Sequence, residues 1–338
     1  MAGIIYAEDI KGKDNKFLVE GIFVLTNIAL TPFKHKEGNF LTCTLSDKTG
    51  NVRGIVWENV DKLKACLQEN TVVAIRGEVG RYNNVLQVIV FKVKSVNSYD
   101  SSEFIKSLSK EQLVKLKKQF IEIHKTIKNP NYKILWDKIG DWKTELSTKF
   151  WTCPGGKGEV HHAYVFGLAE HCVQMMYDSR LYICQYNLDS DLLLTGILVH
   201  DIGKIDSYTW DVSIEMSTRG RLEGHIAIGI QIVSELLDNL DRFDIERIKL
   251  LHMIASHHGD HGLIKPQFKE AVVLSCLDGA NANINKVLLV EEAAEDGAWS
   301  NYDRLTDRYY YIDKHSQEDK EQSPDADNIG TKLDDLPV

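Results

Sequence analysis

Two patterns of apolar and polar positions divide the chain. Between residues 17 and 96 the pattern alternates with a period of about two, the mark of half-buried strands. FLVEGIFVLTNIAL opens this region, and NFLTCTLSD then sets Phe40, Thr42 and Thr44 against Leu41, Cys43 and Leu45. The turn DKTG leads into NVRGIVWE, a short helical piece NVDKLKACLQEN follows, and TVVAIRGEVGRY returns through Asn83-Asn84 into VLQVIVFKVKSV. Five strands with a helix between the third and fourth are therefore expected. Beyond a polar linker, NSYDSSE, the period lengthens to that of helices. In EQLVKLKKQFIEIHKTI, Leu113, Leu116, Phe120 and Ile123 recur at helical spacing with lysines on the other faces, which predicts a connecting helix docked on a neighbouring domain. Asn129-Pro130 is expected to end it, with YKILWDKIGDW as the next helical stretch. Residues 151–312 read as helical nearly throughout. From Asp313 the chain is acidic, polar and almost free of aromatics, so this tail is expected to be disordered.

A chain of 338 residues with 43% apolar content has room for two ordinary cores. MAGIIYAEDIKGKD is not a basic stretch followed by an apolar one, and no run of about 18 apolar residues occurs, so a soluble cytoplasmic protein without a membrane span is expected. Six scattered cysteines without a C-x-x-C pair fit a reducing compartment. The net charge of −9 hides an asymmetry: residues 1–150 carry 24 basic and 17 acidic residues, residues 151–312 carry 13 and 24, and residues 313–338 carry 3 and 8. A basic front half suits a polyanionic partner, and an acidic second half suits a cation.

The chemistry centres on LLLTGILVHDIGK, where an apolar helix ends in His200-Asp201. Burying an imidazole and a carboxylate unpaired is costly, so a metal site is the first reading. His171, His225, His257-His258 and Asp278 lie on or at the ends of other apolar helical stretches, so a bundle can bring them together. Nitrogen and oxygen ligands without thiolate suit manganese, iron, cobalt or zinc. Seven ligands exceed the needs of one ion and fit two, ~3.5–4 Å apart. His124, His252 and His261 fall outside the pattern and read as structural or exposed. Gly155-Gly156-Lys157-Gly158 is no phosphate loop, because Trp151 stands where glycine is needed and Gly158 where a hydroxyl is.

The order H, HD, H, HH, D resembles that of the HD-domain metal-dependent phosphohydrolases over residues 161–278. FLTCTLSDKTGNVRGIVWE resembles nucleic-acid-binding OB-folds. FWTCPGGKGEVHHAYVFGLAEH, with the S-H-H-G of Ser256–Gly259, resembles the bacterial YhaM-type 3′-to-5′ exoribonucleases, whose P-x-x-K-x-x-H-H-A-Y-x-G-G-L-x-E-H segment leads into the first metal histidine. The resemblance covers most of residues 15–312 and implies an N-terminal all-β OB-fold barrel (1–98), connecting helices (99–150), an all-α HD-domain bundle (151–312) and the acidic tail (313–338).

It further implies two divalent ions, manganese first, with His171, His200, Asp201 and Asp278 on one. Asp201 bridges to the second, which His225, His257 and His258 complete. Lys204, in the position of the lysine of H-D-x-G-K, would stabilise charge on phosphate, and His161 and His162 would contact the scissile phosphate or the terminal ribose. The implied activity removes nucleoside 5′-monophosphates from single-stranded RNA, with single-stranded DNA as a further partner, in a homo-oligomer. On the barrel, Lys34, Arg53, Trp57 and Tyr82 are candidate strand contacts, because OB-folds stack bases on aromatics and track the backbone with basic side chains. Two rivals stand beside this reading: a phosphohydrolase of small or cyclic nucleotides, and a non-catalytic module with a structural metal. The chain departs from the family at Phe166, where glycine is usual, and in GDHGLIKPQ after His258.

Overall fold

In the computed structural model, residues 5–33, 37–58, 60, 68–158, 162–238, 240, 244–293, 297–304 and 306–313 are described. Lys34, His161, most of the helical piece after the third strand and the tail beyond Asp313 lie outside them. A short helix, α1 (Ala7–Lys11), precedes five strands: β1 (Leu18–Pro32), β2 (Asn39–Asp47), β3 (Gly50–Val56), β4 (Thr71–Tyr82) and β5 (Val85–Ser95). They close into a barrel in the order β1-β2-β3-β5-β4, antiparallel except where β3 runs parallel to β5. Alternation fills the interior, since Val19, Leu41, Cys43 and Leu45 are all buried while their chain neighbours are more exposed. Asn83 and Asn84 both take left-handed φ, 48° and 62°, as a tight two-residue hairpin between twisted strands requires. A register shift in β1 between Thr26 and Ala29 frees the amides of Asn27 and Ile28, which donate to the Glu69 carboxylate at 3.0 and 2.6 Å.

The helices follow as α2 (Lys110–His124), α3 (Pro130–Gly140), α4 (Glu145–Thr152), α5 (Gly167–Tyr186), α6 (Ser190–Val199), α7 (Lys204–Ser207), α8 (Thr218–Leu236), α9 (Ile245–Ser256) and α10 (Lys269–Ala293). They share one core, in which Phe120 of α2 and Trp136 of α3 stack beside Leu168, Ile197, Met253 and Leu274. The connecting helices are thus part of the bundle's interior. Asn129-Pro130 opens α3 instead of closing α2, which has already ended at His124. Asn129 caps the amides of Asn131 and Tyr132, and proline tolerates the first helical position because its missing N–H would have no partner there.

One small element joins barrel to bundle. Strands β6 (Tyr208–Trp210) and β7 (Ile214–Met216) form a hairpin directly after α7. Its tip carries Val212 into a cluster with Val24, Val72 and Phe104. Asp211 accepts hydrogen bonds from Tyr99 Oη at 3.1 Å and from Ser101, and Ser213 donates to Asn70 Oδ1 at 3.0 Å. Among the described residues no helix is long and apolar enough to cross a membrane.

Candidate active site

Helix α6 is buried along its length from Leu192 to Val199, which explains why its sequence is apolar on every face, and it delivers His200 at its C-terminus. The chain then turns through Asp201, Ile202 and Gly203. A β-carbon at Gly203 would lie 1.9 Å from the His225 carbonyl oxygen and 2.5 Å from the Gly229 amide nitrogen, so only glycine lets α8 approach this closely. Helix α8 is itself broken at Gly224, whose φ of 76° is left-handed, and helical geometry restarts at His225. His257 and His258 follow the end of α9, His171 sits in the second turn of α5, and Asp278 lies on α10.

Two sets of groups meet around Asp201. On its Oδ2 side, His200 Nε2 is 3.3 Å and His171 Nε2 4.0 Å away, and His171 Nε2 lies 3.3 Å from His200 Nε2 and 3.2 Å from Asp278 Oδ1. On its Oδ1 side, His225 Nε2 is 3.4 Å and His257 Nε2 3.7 Å away. His225, His257 and His258 form a group whose ligand atoms lie within 4.8 Å of one another, as do those of His171, His200 and Asp201. Ligands each about 2.1 Å from one ion are spaced about 3 Å apart, so these separations suit shared cations.

Protonation states agree. The Nδ1–H groups of His200 and His257 donate to the carbonyls of Ile197 and Ile254 at 2.8 and 2.7 Å, and that of His171 donates to Asn281 Oδ1 at 2.8 Å. Each bond places a proton on Nδ1 and turns Nε2 inward; on His200 burial opposes a second proton, but Asp201 beside it outweighs that and raises the pKa. Burial pushes His225 down to about 4 and His257 down to about 3, so both are neutral at pH 7. Burial opposes the charge on Asp201, but Lys204 and His200 beside it outweigh that and hold its carboxyl well below the usual range. Among the described residues, Asp201 Oδ1, His225 Nε2, His257 Nε2 and Ser256 Oγ are buried polar atoms with no hydrogen-bond partner. Three of the four converge on one point, and buried polar atoms rarely go unsatisfied. The donor set therefore fits divalent cations.

Comparison with known proteins agrees with this geometry. Residues 168–282 match the HD domain family, and residues 24–96 match a family of OB-fold nucleic acid binding domains. The 3′-5′ exoribonuclease YhaM of Geobacillus sp. (strain WCH70) is 27% identical over 286 residues, spanning 82% of this chain and 84% of that protein. The chain is similar to YhaM along most of its length. Both its OB-fold barrel and its helical HD domain are as the sequence resemblance implies, and the His/Asp cluster marks a metal-dependent site. Among solved structures, the OB domain of Ta0387 from Thermoplasma acidophilum is 19% identical, covering 28% of this chain and 89% of that one with a TM-score of 0.23. The second OB-fold domain of replication protein A from Methanococcus maripaludis is 18% identical, covering 25% and 88% with a TM-score of 0.21.

The remaining candidates separate. Lys204 is buried, its Nζ 2.6 Å from Asp201 Oδ2 and donating to the Gly155 carbonyl at 2.6 Å. The side chain of His162 is fully buried, with Nε2 3.3 Å from Gln174 Oε1 and its ring centroid 5.3 Å from that of His171. On the barrel, Trp57 is 38% exposed and packs with Phe33 and Phe40, ring centroids 6.1 and 5.0 Å away. Arg53 is exposed on β3, paired with Thr44. Tyr82, 63% exposed, pairs with Val85 at the turn between β4 and β5, and because β3 and β5 pair Arg53 with Gln87 and Ile55 with Ile89, it lies toward the opposite end of the ladder from Trp57, with Arg53 between them. His124 and His252 bind Asp137 Oδ1 and the Gln267 amide, away from the site.

Sequence reasoning missed Asn281, which takes the His171 Nδ1–H and donates to Gln174 Oε1 at 3.1 Å. Its spacing of three from Asp278 on one helix was the available signal. The glycine-to-phenylalanine departure also has a structural consequence: Phe166 takes φ 74°, a left-handed conformation that costs a bulky residue energy and that glycine adopts freely.

Proposed function

We propose that this protein is a metal-dependent 3′-to-5′ exoribonuclease that releases nucleoside 5′-monophosphates from single-stranded RNA, with single-stranded DNA as a second substrate. The observation that carries this reading is Asp201, whose two oxygens face different histidine sets and whose Oδ1 has no hydrogen-bond partner among the described residues. His171, His200, Asp201 and Asp278 would hold one divalent ion and His225, His257 and His258 a second, shared through Asp201, with manganese the first choice. Such ions supply Lewis-acid charge at a phosphodiester and lower the pKa of water. The chain's own groups prepare for that role. The neutral imidazoles of His225 and His257 offer their Nε2 lone pairs, Lys204 and the Gly155 carbonyl fix Asp201 between the two sets, and the lysine charge stands beside the place where phosphate charge builds. Phe33, Phe40 and Trp57 offer faces on which bases stack, and Arg53 tracks the backbone.

A time course on 5′-labelled single-stranded RNA in manganese tests this. Wild type is expected to give a one-nucleotide ladder and nucleoside monophosphates. Asp201→Ala should give no ladder in the time wild type needs to finish, yet still bind the strand through the barrel. Turnover of free or cyclic nucleotides without any ladder would favour the small-nucleotide phosphohydrolase instead.

A further inference from the structure

Three hollows adjoin one another across the molecule. A shallow one of about 300 Å³ on the barrel shares Asn27 and Asn51 with a groove of about 730 Å³ between barrel and bundle. That groove shares Lys106 with a third cavity of about 230 Å³. The third cavity stands beside the His/Asp cluster without containing any of its ligands. His162 forms one wall, with its ring centroid 5.3 Å from that of His171. Glu170, next to His171 in the chain, lines the cavity with its side chain only 18% exposed, and the Tyr164 hydroxyl donates to its carboxylate. Leu108, Leu288 and Leu289 cover another side.

We propose that this cavity receives the terminal ribose of the strand, with the Glu170 carboxylate accepting hydrogen bonds from its 2′- and 3′-hydroxyls. The assignment rests on the exoribonuclease reading and adds to it the chemistry of the end that is accepted. An ionised carboxylate only accepts hydrogen bonds, and a vicinal diol supplies two donors. Acidic side chains recognise ribose hydroxyls in dinucleotide sites in the same way. The volume falls below the ~300–1,000 Å³ of pockets that enclose a drug-sized ligand, so it suits a sugar better than sugar and base together. The leucines suit the apolar face of the sugar. A strand held on the barrel and led along the groove reaches this cavity at Lys106, and His162 and Glu170 on the cavity wall adjoin the ligand His171. A 3′-phosphate would set a dianion against Glu170, and a 2′-deoxy end would lose one donor to it.

The test compares short single-stranded RNAs that differ only in the last sugar: ribose with both hydroxyls, 2′-deoxyribose, and ribose 3′-phosphate. Binding is read by fluorescence anisotropy in EDTA, where nothing is hydrolysed, and degradation is read in manganese. The intact diol is expected to bind about tenfold or more tightly than either altered end, the size of a hydrogen bond to a charged group. Glu170→Gln should accept the 3′-phosphate end and narrow all three affinities toward one value. Tyr164→Phe, which keeps the carboxylate, should retain the preference against 3′-phosphate, and thermal melts would confirm that both variants fold. Equal binding of the three ends by wild type, or unchanged discrimination in Glu170→Gln, overturns the assignment. If RNA is cut in manganese but the ends are not distinguished, the cavity assignment alone falls; if nothing is cut and nothing distinguished, the exoribonuclease reading falls with it.

Discussion

At the scale of single residues, the site is decided as much by what is missing as by what is present. Gly203 contributes no functional group, yet the His225 carbonyl oxygen occupies the space a β-carbon would need. Gly203→Ala must push α8 away from the turn that carries Asp201. The expected cost is about 3 kcal/mol, the upper end for overpacking a close contact. Urea unfolding reads that loss, and manganese titration should show weaker uptake because His225 moves with α8. A wild-type midpoint with wild-type metal affinity would contradict this account of the motif glycine. On the barrel, Trp57→Ala removes the exposed member of a three-ring cluster. Stacking contributes about 1–3 kcal/mol per base, so RNA binding should weaken by about tenfold or more in anisotropy. An unchanged affinity would remove Trp57 from the strand path.

At the scale of elements, α10 shows why one helix can be hard to read. It carries Asp278 to the cluster, Asn281 behind His171, Asn285 to the ribose cavity and Lys286 to a further contact, so polar residues occupy several faces. No single apolar stripe marks it out. Lys286 pairs with Asp303 at 2.7 Å, both side chains nearly buried, and this anchors a hairpin in which Trp299 bridges to Tyr311 and Asp303 to Arg308. Lys286 beside it pushes the Asp303 carboxyl down to about 2, below an ordinary value of about 3.9. The folded state thus binds fewer protons than the unfolded one between these values. The stabilisation is complete above about pH 4 and is lost as pH falls through about 2. Amide exchange at Trp299 and Tyr311 should accelerate across that window, and Lys286→Met should accelerate it already at neutral pH. Equal protection at pH 5 and pH 2 would show that the pair does not hold the hairpin.

At the scale of the whole molecule, the metal site and the barrel are joined by a short path. Asp201, Lys204 and the β6–β7 hairpin follow one another in the chain, and the hairpin tip touches β1, β4 and the segment after β5. Asp201 Oδ1, His225 Nε2 and His257 Nε2 are buried with no hydrogen-bond partner among the described residues, so a bound cation should stabilise the folded state. At a hundred times its dissociation constant an ion adds about 2.7 kcal/mol. For a bundle of this size that is a rise of about 5–10 °C in melting temperature on adding manganese to chelator-treated protein. Asp201→Ala should lose most of that shift. A metal-independent melting temperature in wild type would leave those unpartnered atoms without an explanation.

Much of this was legible in the sequence because it depends on local periodicity and on rare residue types. The period-two stretch predicted five strands, and the burial of Leu41, Cys43 and Leu45 against the outward Thr42 and Thr44 follows from alternation alone. The apolar run before His200-Asp201 marked a buried helix end, and the other histidines and Asp278 could be named because such groups seldom enter apolar helices unpaired. Partnerships between distant residues could not be read this way. That Asp201 faces two histidine sets, that Asn281 lies behind His171, that Asn129-Pro130 begins a helix, and that Glu170 lines a separate cavity all depend on how helices far apart in the chain pack together. Spacing along one chain specifies which face of a helix a residue occupies; only packing decides what that face meets.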